Sequence, residues 1–128
     1  MAEDALVTDK IEAGAKLLEA LDRSDIRIKT AFWLHYPDQD SWKLVLAPGK
    51  KIEGTKDIYM KIGEILRSPE LANQNVEISD IKIMQPDVPL LRALSVAIRT
   101  EGNKPIRFSR NVINGIYIDD ALIYRNAA

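Results

Sequence analysis

A single histidine, His35, limits the acid–base chemistry open to this chain. Any serine hydrolase triad built on histidine would have to use it, because the base must reach the hydroxyl it activates. No Gly-x-Ser-x-Gly elbow frames Ser41, Ser68, Ser79, Ser95 or Ser109, so His35 reads as a solvated or hydrogen-bonded structural residue. Asp38-x-Asp40 opens like a calcium loop, but Lys43 stands where glycine is needed and Gly49 where the closing glutamate is needed. Asp119-Asp120 are neighbours on a strand and should point to opposite faces, converging on a magnesium ion only at a bulge. Asp80-Ile81-Lys82 has the triplet of metal-dependent nucleases, without a second acid close by. Gly49-Lys50-Lys51 with Gly54-Thr55 ahead of a helix combines mobile backbone, two cations and a favourable dipole, the makings of an anion cradle. It lacks the Walker A spacing. These fragments imply no metal and no cofactor, and ordinary turn, strand and loop residues account for them.

Composition removes further classes. There is no cysteine, so disulfides, thiol catalysis, iron–sulfur clusters and cysteine zinc sites are excluded. Net charge is −1, which argues against a dedicated nucleic-acid binder, although a stripe of Arg27, Lys29, Lys43 and Lys50 keeps a local basic patch in play. No apolar run approaches the length of a membrane span. Met1-Ala2-Glu3-Asp4 lacks the basic start of a signal peptide, and a cytoplasmic bacterial protein is the default expectation. At 128 residues the chain fits one domain with a core built from Ile, Leu and Val, since aromatics are only 6%.

The elements that must position any site follow from periodicity. Residues 1–7 read as a loose end. Asp9 and Glu12 resemble a capping box, and Ile11, Ala15, Leu18 and Leu21 predict a helix over 9–22. Ile26 to Tyr36 alternates as a strand, with Phe32 and Leu34 on one face and Trp33 and His35 on the other. Pro37 to Ser41 reads as a five-residue turn, and Trp42 to Ala47 returns. That loop length sets Tyr36 against Trp42, Leu34 against Leu44 and Phe32 against Leu46. Thr55 opens a second helix striped by Ile58, Ile62, Ile65 and Leu66 and stopped by Pro69. A third strand is expected within 76–84, starting late or bulged because alternation slips between Ile78 and Ile81. Asp87 and Pro89 start a third helix, which Gly102 ends. The result is a single α+β domain in the order α-β-β-α-β-α-β-β, a mixed five-stranded sheet with three helices mostly on one face. Two β-α-β stretches predict parallel neighbours.

The C-terminal quarter carries the clearest local signal. Asn114-Gly115 between two β-prone runs predicts a two-residue type I′ hairpin in which partners sum to 229. Val112 then meets Tyr117, Ser109 meets Asp120, and Arg110 meets Asp119 as an ion pair in a largely apolar row. The run Phe108-Ser109-Arg110-Asn111-x-Ile113-Asn114-Gly115, continuing through Asp120-Ala121 to Tyr124-Arg125, resembles the C-terminus of a family of small uncharacterised bacterial proteins of unknown function. Ala31-Phe32-Trp33-Leu34-x-Tyr36-Pro37 with Trp42-Lys43-Leu44 is similar to the same group. The resemblance spans most of the chain and implies no activity.

Two functional expectations result. If three helices leave one sheet face bare, Trp33 and Val45, rimmed by His35 and Lys43, form an interaction surface for a protein partner or a second copy of the chain; an edge strand is the other route to self-association. The alternative is a small enzyme or phosphate-ligand binder in which Arg107, Arg110, Asn111 and Asp120 converge with Lys50 and Lys51 on one pocket.

Overall fold

The computed structural model describes residues 8–24, 26–72, 74, 76–97 and 105–126. Thr8–Asp22 forms helix α1, Ile28–Tyr36 strand β1, Ser41–Pro48 strand β2 and Lys56–Leu66 helix α2. Ile81–Ile83 forms strand β3, Pro89–Ala97 helix α3, Ile106–Ile113 strand β4 and Ile116–Asn126 strand β5. The fold is the expected α+β domain with a mixed five-stranded sheet and three helices. The expected loose end at 1–7 and the stop at Gly102 lie outside the described residues.

Strand order is β3-β2-β1-β5-β4. The crossover through α2 places β3 parallel to β2 as expected, whereas β3 and β4 lie at opposite edges, so the second crossover makes no pair. The late start of β3 has a cause: a 3-10 turn, Ile78–Asp80, precedes it, with Glu77 N–H donating to the Asp80 carboxylate at 2.9 Å.

Two of the three helices, α1 and α2, share one face of the sheet and α3 covers the other. Leu17, Leu18 and Leu21 of α1 and Ile62 of α2 pack with Ile28, Ala31, Trp33, Leu44 and Leu46 on one side. On the other side Leu91, Ala93 and Leu94 of α3 cover Phe32, Leu34, Val45, Ala47, Ile113, Ile118, Ala121 and Ile123. Apolar residues therefore run continuously along β1 and β2, as in strands buried on two faces.

The register of the first hairpin differs from expectation by one residue. Ser41 belongs to the strand, so the turn holds four residues and Tyr36 meets Ser41, Trp33 meets Leu44 and Phe32 meets Val45. Asp40 takes φ +47° to close that turn, a conformation aspartate tolerates better than most residues. A one-residue slip moves every side chain to the other face. It puts Val45 beside Phe32 rather than Trp33, and a register shift between Ile28 and Thr30 likewise moves Ile28 to the Trp33 side.

Candidate functional site

Trp33 is completely buried beneath α1, so the proposed bare face around it does not exist. Its indole N–H donates to the Tyr124 hydroxyl at 2.8 Å, and that hydroxyl donates to the Ile11 carbonyl of α1. Gly14 lets the helix come this close: a Cβ there would stand 2.5 Å from the Tyr124 oxygen and 2.9 Å from the Trp33 nitrogen. Burial pushes the Tyr124 phenol well above its ordinary value, against the smaller opposing effect of the Trp33 hydrogen bond. Val45 is equally buried, on the opposite face. Lys43 meets Leu34, not His35, and its ammonium donates to the Ser79 carbonyl at 2.8 Å. The four residues expected to form one surface are thus divided between two faces.

The hairpin polars and the lysine loop do not converge either. Arg107 and Asp120 sit near the His35 end of the sheet, whereas Lys50 and Lys51 follow Pro48, which pairs with Ile28. Seven strand positions separate Ile28 from His35, roughly 23 Å at about 3.3 Å each. Lys51 turns to Asp87 at 3.5 Å, and Asn111 accepts from the neighbouring Val112 N–H at 2.8 Å. The Asp80-Ile81-Lys82 triplet is also dispersed: Asp80 accepts from Glu77 N–H and from Lys10, and Lys82 lies over the Tyr36 ring. Among the described residues no three His, Asp or Glu side chains gather as metal ligands.

The side chains that do come together surround His35. The C-terminal hairpin keeps the expected register on both sides of one position, with Ser109 opposite Asp120 and Asn111 opposite Ile118. Between them Arg110 leaves the extended region, with φ +47°, at a cost on the order of 1 kcal/mol for such a residue. The side-chain alternation skips there. Ile116 and Ile118 face α3, and so do Ala121 and Ile123. Asp119 and Asp120 are consequently delivered together to the opposite face, and the expected Arg110–Asp119 pair is replaced. Asp119 accepts from His35 Nδ1 at 2.7 Å, and Asp40 from the turn lies 3.2 Å from Nε2. Asp120 holds Arg107 through two bonds of 2.6 Å and accepts from the Ser109 hydroxyl at 2.8 Å. Trp42 joins the halves, its ring 5.1 Å from the imidazole and 5.5 Å from the Arg107 guanidinium.

Electrostatics define what this cluster can do. His35 is only 6% exposed, and burial alone pulls the imidazole toward the neutral form. The hydrogen bonds and charges of Asp119 and Asp40 more than reverse that effect and raise its pKa above 6.5. Each ring nitrogen faces a carboxylate, and in the imidazolium form both donate. The Arg107 hydrogen bonds hold Asp120 below the usual carboxylate range despite partial burial.

No family model, curated protein or solved structure matches this chain. The functional reading therefore rests on geometry.

One surface beside the cluster is bare. Among the described residues none from 106–120 joins the core cluster beneath α1 and α2, whereas Ile113, Ile116 and Ile118 pack into the α3 layer. On the near side Val112 and Tyr117 form a cross-strand pair, 58% and 57% exposed. Asn114-Gly115 predicts their pairing, but their exposure depends on which elements cover that face of the sheet.

Proposed function

We propose that this protein is a non-catalytic interaction module that binds a protein partner through the open face of the β4–β5 hairpin. The carrying observation is the Val112–Tyr117 pair, two large apolar side chains left bare on a ribbon whose reverse face is packed. Trp42 and Arg107 adjoin it through the His35 cluster. Tyrosine, tryptophan and arginine are the residue types that most often anchor protein interfaces. The His35 network supports the same reading, because it fixes the ribbon to β1 and to the first turn instead of presenting a reactive group. A pre-ordered ribbon loses less conformational entropy on docking.

Affinity purification from the source cell tests this, comparing the natural chain with Val112→Ser/Tyr117→Ser and with Lys50→Ala/Lys51→Ala. A specific protein retained by the natural chain and the lysine variant, and lost by the hairpin variant, is the expected result. Equal capture by the hairpin variant, or a small molecule as the sole bound species, would overturn the proposal.

A further inference from the structure

The single histidine is held at both ring nitrogens by carboxylates from different parts of the fold. Asp119 comes from β5, and Asp40 closes the turn between β1 and β2. A neutral imidazole carries one N–H, so it donates to one carboxylate and turns a lone pair on the other; only the imidazolium satisfies both. The two carboxylates are not equal. Asp119 lies 2.7 Å from Nδ1 with its side chain 29% exposed, whereas Asp40 lies 3.2 Å from Nε2 with its side chain 65% exposed. The longer contact thus belongs to the carboxylate that water solvates more readily. The turn's own bonds are weak. Gln39 N–H to the Tyr36 carbonyl and Asp40 N–H to the Pro37 carbonyl are both 3.2 Å, the long end of the ordinary range.

We infer that His35 is a proton-operated latch on this turn: the imidazolium ties Asp40 to Asp119, and loss of its proton frees Asp40 while Asp119 stays bound. The inference does not depend on what the hairpin binds. The surroundings favour the charged, closed form. From β5 come Asp119 and Asp120, and Asp120 is matched by Arg107 of β4. The Tyr117 hydroxyl lies 3.4 Å from the second oxygen of Asp119. β2 contributes the Trp42 ring at 5.1 Å, while its Lys43 turns to the Ser79 carbonyl. α1 brings Lys10 over Trp33, two residues back along β1, where it pairs with Asp80 at 3.4 Å. The turn adds Asp38, exposed beside Asp40. Burial opposes charge on the ring, and the hydrogen bonds and charges of Asp119 and Asp40 together outweigh it. The latch is closed below the folded pKa and opens as pH rises through it.

NMR of the backbone amides and of the imidazole across about pH 5–9 tests this, and one histidine per chain makes the ring signal unambiguous. The order parameters of Asp38, Gln39 and Asp40 are expected near about 0.85 with the ring charged and below about 0.6 with it neutral. The midpoint of that fall should coincide with the ring's own titration, and Phe32, Trp33 and Leu34 should not change. Asp40→Asn separates a latch from a merely structural contact. Its side-chain amide accepts from the charged ring and donates to the neutral one, and asparagine tolerates the same backbone conformation. In that variant the turn should stay ordered at both ends of the range while His35 titrates at lower pH. A turn equally ordered on both sides of the natural ring's titration, or a ring that keeps one charge state throughout, overturns the inference. So does loosening in Asp40→Asn equal to that of the natural chain. Motion gained at residues 118–120 with the turn unchanged would show that the wrong carboxylate was assigned to the release, and overturns it too.

Discussion

The same substitution should have opposite effects in the two longer helices. Gly→Ala within a helix ordinarily stabilises by about 0.5–1 kcal/mol. At Gly63 nothing opposes that gain, because the new methyl meets only the end of Arg67 at ordinary contact distance. At Gly14 the methyl would stand 2.5 Å from the Tyr124 oxygen and 2.9 Å from the Trp33 nitrogen, both fully engaged in the buried bond beneath α1. Overpacking of that kind costs about 1–3 kcal/mol. Displacing the hydroxyl leaves the indole N–H buried without its acceptor, about 1–3 kcal/mol more. After subtracting the helix gain, Gly14→Ala should lose about 1–5 kcal/mol, a fall in melting temperature of roughly 4–20 °C for a domain of this size. Urea and thermal unfolding followed by tryptophan emission measure both variants against the natural chain. Equal stabilisation by Gly14→Ala and Gly63→Ala would show that α1 does not lie on Trp33, and the assignment of the bare face would fail with it.

Tyr124→Phe should cost about 1–3 kcal/mol in the same assay, since it leaves the buried indole N–H without its acceptor and removes the hydroxyl's tie to α1. His35 predicts a pH dependence with a definite sign. Its folded pKa is raised above 6.5, so the stability it contributes is complete below that value and is lost as pH rises through the folded pKa. The urea midpoint should therefore be higher at about pH 6 than at about pH 8.5, with the difference reduced in Asp119→Asn; a flat profile across that window would contradict the two-carboxylate geometry. Val112→Ser/Tyr117→Ser should leave the unfolding free energy of the monomer within about 1 kcal/mol of the natural chain, because both side chains are exposed in the folded domain.

Local signals in the sequence carried as far as single elements and one turn. Asn114-Gly115 set the C-terminal register because a two-residue turn leaves one way to pair. The first turn lacked that constraint: Pro37 to Ser41 contains four or five loop residues with equal local plausibility, and the difference exchanged Val45 and Leu44 between faces. Arg110 at positive φ has no sequence signature, so the delivery of Asp119 and Asp120 to one side, and hence the partner of His35, was out of reach. The pairing of β1 with β5 is a contact between distant segments, which periodicity does not report. Gly14 was a visible clue of another kind, since a glycine within a helical stripe points to close approach.

The most direct measurement of the central claim is amide hydrogen exchange with and without the bound partner. Added protection is expected across residues 107–120, strongest around Val112 and Tyr117, with exchange along α1 unchanged. Protection that falls on α1 while the hairpin exchanges as before would contradict the account.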